Sequence, residues 1–291
     1  MSKSNSNTSE LKSFHYLESG EITFSILNTI KTQSKLDSGV YTLEYLPYPE
    51  MRVKVNVSTD KETVKTYGFP DKEKLNSLFE SFFNEDVIKK VKSLGFYHKV
   101  GVLLYGKEGT GKSSIIKSYA NQLINQNDCL VFYFTNNSGV SACWNFIKKI
   151  REIQNNPIMV IFEEMDMYTQ PTPDNPEGYI KTIFDGNNAI DNCIVMGATN
   201  YIDKIPVAIK NRPSRFKYVL NIEGIHAEEE ILEILASMIG DLEDIDELKK
   251  YANGLKGETL DVIKQFALDK IMCLDCYTNV TRKKIGFSPS K

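Results

Sequence analysis

The sequence has no apolar run long enough to span a bilayer. Its amino terminus, MSKSNSNTSELKS, lacks the apolar core of a secretory signal, so we expect a cytoplasmic protein without a membrane segment. Cysteine is scarce, and its odd number, five, argues against a disulfide framework. The net charge of −3 provides no global attraction to nucleic acid or to an anionic membrane.

Metal sites are also poorly supported. The three histidines, His15, His98 and His226, have no ligand-like spacing. Cys273 and Cys276 form a CxxC pair in a predicted helix, but no second pair accompanies it, which favours a core-facing pair over a zinc site. A chain of 291 residues with 41% hydrophobic and 25% charged residues is typical of a globular protein of one large domain or two to three smaller units.

Residues 1–69 are predicted to contain a polar tail and a small β element. The stretches VYTLEYL and RVKVNVS flank a turn-forming segment, and Val53, Val55 and Val57 alternate with polar residues, which indicates a half-buried hairpin. After Pro70 the pattern becomes helical. The apolar residues there are spaced for one helix face: Leu75, Leu78, Phe79, Phe82 and Phe83.

Five short apolar runs follow, separated by helical stretches. Runs that are apolar on both faces predict a five-stranded parallel sheet flanked by helices, an α/β nucleotide-binding subdomain over 70–222. From 223 to 277 the pattern is helical only and predicts a helical lid, followed by a polar and basic tail, 278–291. The runs are VGVLLYG, CLVFYF, PIMVIFEE, CIVMGATN and KYVLNI.

The segment GKEGTGKS, Gly106 to Ser113, satisfies the phosphate-binding pattern G-x-x-x-x-G-K-[ST]. It follows a predicted strand and begins a predicted helix, so its amide groups and the helix amino terminus favour an anion. We expect Lys112 to reach the β- and γ-phosphates of ATP and Ser113 to ligate Mg²⁺. The predicted nucleotide-binding residues are Gly106, Lys107, Glu108, Gly109, Thr110, Gly111, Lys112, Ser113 and Ser114.

Two carboxylates end the third apolar run, VIFEE, at the edge of the sheet where ligands bind in open α/β folds. Glu163 is predicted to hold the Mg²⁺ through water, and Glu164 to orient and polarise the attacking water. Position 163 is more often Asp in such motifs, and the longer Glu side chain leaves the detail of the metal contact open. The alternative is that the pair ends a strand in solvent.

Several segments, in order, resemble the AAA family of the AAA+ P-loop ATPases. YHKVGVLLYGKEGTGKSS is similar to the approach to the nucleotide loop, with Lys107 and Glu108 replacing two prolines. VIFEEMD, FDGNNAIDNCIVMGATN, IDKIPVAIKNRPSRF and YANGLKGETLDVI resemble later motifs of the clade with the second region of homology. The resemblance covers roughly residues 70–275 and implies a helical lid and a ring-shaped homo-oligomer, typically a hexamer.

Three further catalytic roles follow from this resemblance. Asn200 matches the residue that senses the γ-phosphate or holds the attacking water. Arg212 and Arg215 match the paired arginines that reach the ATP site of the neighbouring subunit, and which of the two does so is left open. An isolated monomer is therefore expected to be a poor ATPase.

The stretch TNNSGVSACWNF, Thr135 to Phe146, departs from the family, whose protein-threading members carry an aromatic pore loop there. It is short and polar, like that of the AAA proteins that assemble the mitochondrial cytochrome bc complex. Trp144 is interpreted as a core residue on the following helix rather than a pore residue. The proline-rich loop Met167 to Gly178 could face the pore or be an ordinary connection.

The leading hypothesis is a Mg²⁺-dependent ATPase that remodels, assembles or disassembles a protein client. The alternative is a clamp-loader or helicase-loader acting on a DNA-bound machine, against which the net charge and the RPSRF pattern weigh. A third reading is a scaffold that uses ATP only to hold a ring together. The presence of Lys112, Glu164, Asn200 and both arginines argues against it.

Overall fold

The computed structural model describes residues 12–16, 22–26, 29–33, 35–46, 52–58, 69, 71–134, 139–170, 179–184, 188–210 and 215–272. Its strands are β1 (Lys12–Tyr16), β2 (Ile22–Ile26), β3 (Thr29–Gln33), β4 (Gly39–Leu46), β5 (Arg52–Ser58), β6 (Lys99–Tyr105), β7 (Leu130–Phe134), β8 (Ile158–Phe162), β9 (Cys193–Thr199) and β10 (Tyr218–Asn221). Its helices are α1 (Lys72–Phe83), α2 (Glu85–Ser93), α3 (Lys112–Asn127), α4 (Val140–Ile153), α5 (Met165–Thr169), α6 (Tyr179–Phe184), α7 (Val207–Lys210), α8 (Glu228–Ile239), α9 (Ile245–Gly254) and α10 (Leu260–Ile271).

The described strands form one ten-stranded sheet in the order β10-β6-β9-β8-β7-β4-β5-β1-β2-β3. The five predicted parallel strands, β6 to β10, are confirmed and adjacent. Every residue of β8 and β9 is buried, because helices lie between successive strands and cover the sheet. The carboxyl ends of β6, β8 and β9 therefore lie side by side at one edge.

The predicted hairpin is present as β4 and β5, with Leu43 opposite Val55. It is not a separate element, because β4 pairs in parallel with β7 and the hairpin extends the central sheet. Tyr41 and Val55 are buried in the same core as the parallel strands, and Tyr41 lies 5.5 Å from Phe132 between ring centroids. Strands β1 to β3 continue the sheet in antiparallel fashion and were not predicted.

Helices α1 and α2 precede β6. Of the apolar residues predicted to share one face, Leu75, Phe79 and Phe82 are buried. Asn84 ends α1 and caps α2, since its side chain accepts hydrogen bonds from the amides of Asp86 and Val87. None of the helices in the described part of the chain combines the length and apolar character needed to span a bilayer.

The chain divides into two compact units. Unit 1 comprises residues 1–66, 71–106 and 112–221, and contains the sheet. Unit 2 comprises 67–70, 107–111 and 222–291. Its own core is formed between α8, α9 and α10 by residues such as Ile231, Ile234, Leu248 and Phe266. Asp244 caps α9 and Thr259 caps α10.

Candidate functional site

The loop that joins β6 to α3 depends on glycine. Gly109 and Gly111 have φ of 77° and 91°, values that L side chains rarely adopt. Such a backbone turns successive amide groups towards one concave side, where they bind anions. Thr110 Oγ1 donates to Lys107 O at 2.9 Å, closing the loop on itself. The loop predicted from the sequence is thus built for close approach of an anion.

Residues 107–111 of this loop pack within unit 2. The Asp261 amide donates to Gly109 O at 3.0 Å. A Cβ atom added at Gly109 would lie 3.0 Å from the Asp261 side chain, and one added at Gly111 would lie 3.1 Å from Leu260. Both glycines therefore lie close to the first residues of α10, and both have a backbone conformation that other residues rarely adopt.

Lys112 begins α3 and is buried, with 8% of its surface exposed. Its Nζ donates to Gly106 O at 2.9 Å, which holds the ammonium group beside the start of the loop. The first turn of α3 has no acidic residue to offset the positive end of the helix dipole. Ser113 is exposed and Ser114 is partly buried. Lys112 and the start of α3 thus supply positive charge beside Gly106.

The paired carboxylates directly follow β8. Glu163 is partly buried, and its Oε1 atom is buried without a hydrogen-bond partner in the described structure. Glu164 is exposed, adopts the left-handed conformation (φ 50°, ψ 49°) and occupies the N-cap position of α5. Burial raises the pKa of Tyr133, and the Glu163 charge raises it further. Burial first and the Glu164 charge second raise the pKa of Tyr168.

The third part of the site is the end of β9. Thr199 pairs with Tyr105 across β6 and β9, so the residues that follow them, Asn200 and Gly106, leave the sheet side by side. Asn200 is exposed and Thr199 is buried. The Thr199 hydroxyl lies 2.7 Å from Asp166 Oδ1. The structure thus brings the ends of β6, β8 and β9 together at one edge of unit 1.

The structure describes one of the two predicted arginines, Arg215, and it does not lie at this edge. Arg212 is outside the described residues. Arg215 is 4% exposed, and its Nη1 donates to Ala208 O of the same chain at 2.8 Å. A Cβ at Gly101 would lie 1.9 Å from Arg215 O, which places Arg215 beside the amino-terminal half of β6, away from Gly106. The motif spacing gave no signal of this burial.

The structure describes residues 139–146 of the segment that was predicted to depart from the family pattern. Val140 and Trp144 are buried, and Trp144 Nε1 donates to Asn188 O at 2.7 Å, which agrees with the core interpretation of Trp144. A Cβ at Gly139 would collide with the Tyr45 ring of β4 at 2.1 Å. Residues 135–138, the loop 171–178 and the pair Cys273 and Cys276 lie outside the described residues.

A cavity of about 300 Å³ lies at the opposite edge of the sheet, beside the amino ends of β6 and β9. Trp144, Phe184, Lys99 and Arg215 are among its lining residues. Lys99 Nζ donates to Phe184 O at 2.6 Å, which fixes one of its walls. This cavity is separate from the edge that carries Gly106, Glu164 and Asn200.

One family model matches the part of the chain that carries this edge. The model of the ATPase family associated with various cellular activities (AAA) matches residues 102–223, from β6 to the residues after β10. Residues 102–223 form an AAA ATPase domain. The match contains the loop, the paired carboxylates and Asn200 described above.

Curated relatives of the AAA domain include a cell division cycle protein 48 homolog from Archaeoglobus fulgidus, 32% identical over 192 residues. An AAA ATPase forming ring-shaped complexes from Rothia mucilaginosa is 30% identical over 149 residues. A proteasome-associated ATPase from Arthrobacter sp. is 28% identical over 218 residues. The matches cover 58%, 42% and 65% of this chain, and 25%, 24% and 36% of the respective relatives. This chain thus matches only about a quarter to a third of each relative.

Proposed function

We propose that this protein binds ATP with Mg²⁺ at the loop Gly106–Ser113 and hydrolyses it, working as a ring that remodels, assembles or disassembles protein complexes. The observation that carries the proposal is the register of β6 and β9. It sets Gly106 beside Asn200, with Glu163 and Glu164 on the adjacent strand end and Lys112 buried against Gly106 O. Each group required for phosphoryl transfer therefore has a candidate at one edge.

The residues at this edge are of the types that would bind the phosphates of ATP and a Mg²⁺ ion. Lys112 and the loop amides would hold the β- and γ-phosphates, and the exposed Ser113 hydroxyl is free to turn towards a cation. The buried Glu163 Oε1, which has no hydrogen-bond partner in the described structure, is what a carboxylate that holds a metal-bound water would present. Mg²⁺, when bound, would neutralise charge that develops on the phosphate oxygens.

Glu164 is the candidate that activates water. Its exposed side chain belongs to a left-handed residue between β8 and α5, directly after the end of the strand. Asn200 leaves the neighbouring strand at the same edge and would hold the attacking water or the γ-phosphate. Lys107, Glu108 and Thr110 complete the loop, and Ser114 continues the first turn of α3.

The ring is supported by the relatives, one of which is named as forming ring-shaped complexes. In such a ring we propose that Arg212 reaches the ATP site of the next subunit, because Arg215 is buried against Ala208 O of its own chain. Val140 and Trp144 are buried, so neither offers an exposed pore contact. These features favour a client protein that the ring repositions over one that it threads through a central pore.

The test is Glu164→Gln. The variant should bind ATP as the wild type does, because Glu164 does not hold the phosphates, but its hydrolysis should fall by about 100-fold or more. Phosphate release measures hydrolysis, and size-exclusion chromatography with ATP measures ring formation. Mass spectrometry of proteins that co-purify with Glu164→Gln from the native host should identify the client.

Glu152→Gln serves as a matched control, since Glu152 is an exposed carboxylate on α4. It should retain wild-type hydrolysis. Unchanged hydrolysis in Glu164→Gln would refute the assignment of the catalytic carboxylate. Stimulation of hydrolysis by DNA and by no protein would support a replication loader instead.

A further inference from the structure

The short helix α5 follows Glu164 at the end of β8 and packs against β9, the strand that Asn200 follows. Glu164 turns the chain into α5, and Met167 N donates to Glu164 O at 2.8 Å to close the first turn. Asp166 lies in this turn, two residues after Glu164, and Thr169 Oγ1 donates to its carbonyl oxygen at 3.0 Å. Glu164 is the N-cap of the five-residue α5 and Asp166 lies in its first turn, so the two residues share the same short helix end.

Helix α5 approaches β9 closely because position 197 is glycine. A Cβ added at Gly197 would lie 2.3 Å from Met165 Sδ, so a larger residue would have to displace the Met165 side chain that packs there. This approach brings Asp166 Oδ1 to 2.7 Å from Thr199 Oγ1. Thr199 is only 1% exposed, so water does not compete freely for this hydrogen bond.

The same hydroxyl also holds the chain beyond β9. Tyr201 N donates to Thr199 Oγ1 at 3.0 Å, which fixes the backbone on the far side of Asn200. With Tyr201 N–H donating to it, the Thr199 hydroxyl directs its own proton to Asp166. The Asp166 carboxylate accepts this hydrogen bond, and a hydrogen bond to a charged group is stronger than one between neutral groups.

We propose that Asp166 is a positioning residue that fixes Glu164 and Asn200 relative to each other through Thr199. This inference rests on the proposed hydrolysis of ATP at the same edge. The Asp166–Thr199 bond joins the segment after β8, which carries Glu164, to the segment after β9, which carries Asn200. Since a misplacement of about 1 Å costs an enzyme about 100-fold in rate, such a link affects turnover more than nucleotide binding.

The test compares Asp166→Ala and Thr199→Val, which remove the hydrogen bond, with Asp166→Asn and Thr199→Ser, which keep an acceptor and a hydroxyl. The first pair should lower kcat by about 30-fold while the KM for ATP changes less than about threefold. The second pair should restore most of the lost kcat. The double variant Asp166→Ala/Thr199→Val should be no slower than the slower single variant, because both remove the same bond.

Hydrogen–deuterium exchange provides a readout that needs no hydrolysis. In Asp166→Ala without nucleotide, peptides that contain Tyr201 should exchange about tenfold faster, and in Asp166→Asn they should not. Asp203→Ala, which alters an exposed carboxylate in the next turn, is the control and should leave exchange at Tyr201 unchanged.

Two results would overturn the inference: equal loss of kcat in Asp166→Asn and Asp166→Ala, or unchanged exchange at Tyr201 in Asp166→Ala. A wild-type protein that releases no phosphate would refute the proposed function alone, because the exchange measurement would still decide the role of the Asp166–Thr199 bond.

Discussion

At the scale of single residues, His98 is a buried histidine that the sequence pattern did not single out. Its Nε2 donates to Phe82 O at 2.9 Å, its ring stacks on Phe82 at 4.0 Å, and its amide donates to Asp191 Oδ1 at 2.7 Å. Burial lowers the pKa of His98, although the Phe82 carbonyl and Asp191 act in the opposite direction and Lys92 adds to the lowering. His98 therefore joins the end of α1 to the start of β6 in its neutral form.

Acid should weaken the attachment of α1 to β6 through His98. The unfolded chain binds a proton at His98 near its ordinary pKa of about 6.5, whereas the folded chain does so only at lower pH. The free energy of unfolding should therefore fall as the pH drops below about 6.5 and stop changing, for this group, below the folded pKa. Urea unfolding at pH 7.5, 6.5 and 5.5 measures the effect.

His98→Gln should lose about 1 kcal/mol at pH 7.5 and show a smaller decrease between pH 7.5 and 5.5. His226→Gln, which alters an exposed histidine, is measured beside it. An equal decrease in wild type and His98→Gln would show that other groups cause it.

At the scale of elements, one side chain attaches the amino-terminal strands to the AAA domain. Gln154, at the carboxyl end of α4, accepts from Leu36 N at 2.7 Å and donates to Leu36 O at 3.1 Å. Both residues are buried. Gln154 thereby satisfies both backbone groups of Leu36 three residues before β4 begins, and this attachment supports the pairing of β4 with β7.

Gln154→Ala should leave two buried backbone groups of Leu36 unpaired and lower the free energy of unfolding by about 2 kcal/mol. Urea unfolding measures the loss, and exchange of peptides covering 36–46 should rise more than exchange of β8 or β9. Asn155→Ala changes an exposed side chain next to it and should have little effect on either measurement. Equal changes in the two variants would argue against a specific attachment.

The same elements show what sequence reasoning can reach. The five parallel strands are predictable because each run is apolar on both faces, and the hairpin is predictable from the alternation at Val53, Val55 and Val57. The joining of β4 to β7 is not, because it depends on contacts such as Leu36 with Gln154, which are 118 residues apart. Local periodicity contains no information about such a partner.

The candidate site also contains some features that the sequence predicts and others that it does not. Gly106–Ser113 was predicted from its motif, Glu163 and Glu164 from their place at the end of a buried strand, and Asn200 from the family resemblance. The bond between Asp166 and Thr199 was not, because it requires α5 to approach β9 at Gly197. The burial of Arg215 was also not predicted, since spacing within RPSRF does not say which arginine faces the core.

At the scale of the whole molecule, we expect Arg212 and Arg215 to have different roles in the proposed ring. If Arg212 serves the site of the neighbouring subunit, Arg212→Ala alone should lower hydrolysis by about 1000-fold, the effect of losing an arginine that contacts the transferred phosphoryl group. Arg215→Ala should also lower activity, but by disturbing its own chain, because it removes a buried side chain bonded to Ala208 O.

Mixing subunits separates these effects. Glu164→Gln subunits keep both arginines but lack the catalytic carboxylate, whereas Arg212→Ala subunits keep Glu164. In a randomly mixed head-to-tail ring with equal amounts of each, about a quarter of adjacent pairs join an intact Glu164 site to an intact Arg212. Hydrolysis by the mixture should therefore recover to roughly a quarter of the wild-type rate. The same mixture made with Arg215→Ala should recover far less, since the defect lies within the subunit that carries Glu164. Recovery to about a quarter with Arg215→Ala and none with Arg212→Ala would assign the trans-acting role to Arg215. Recovery with neither variant would refute catalysis across a subunit interface.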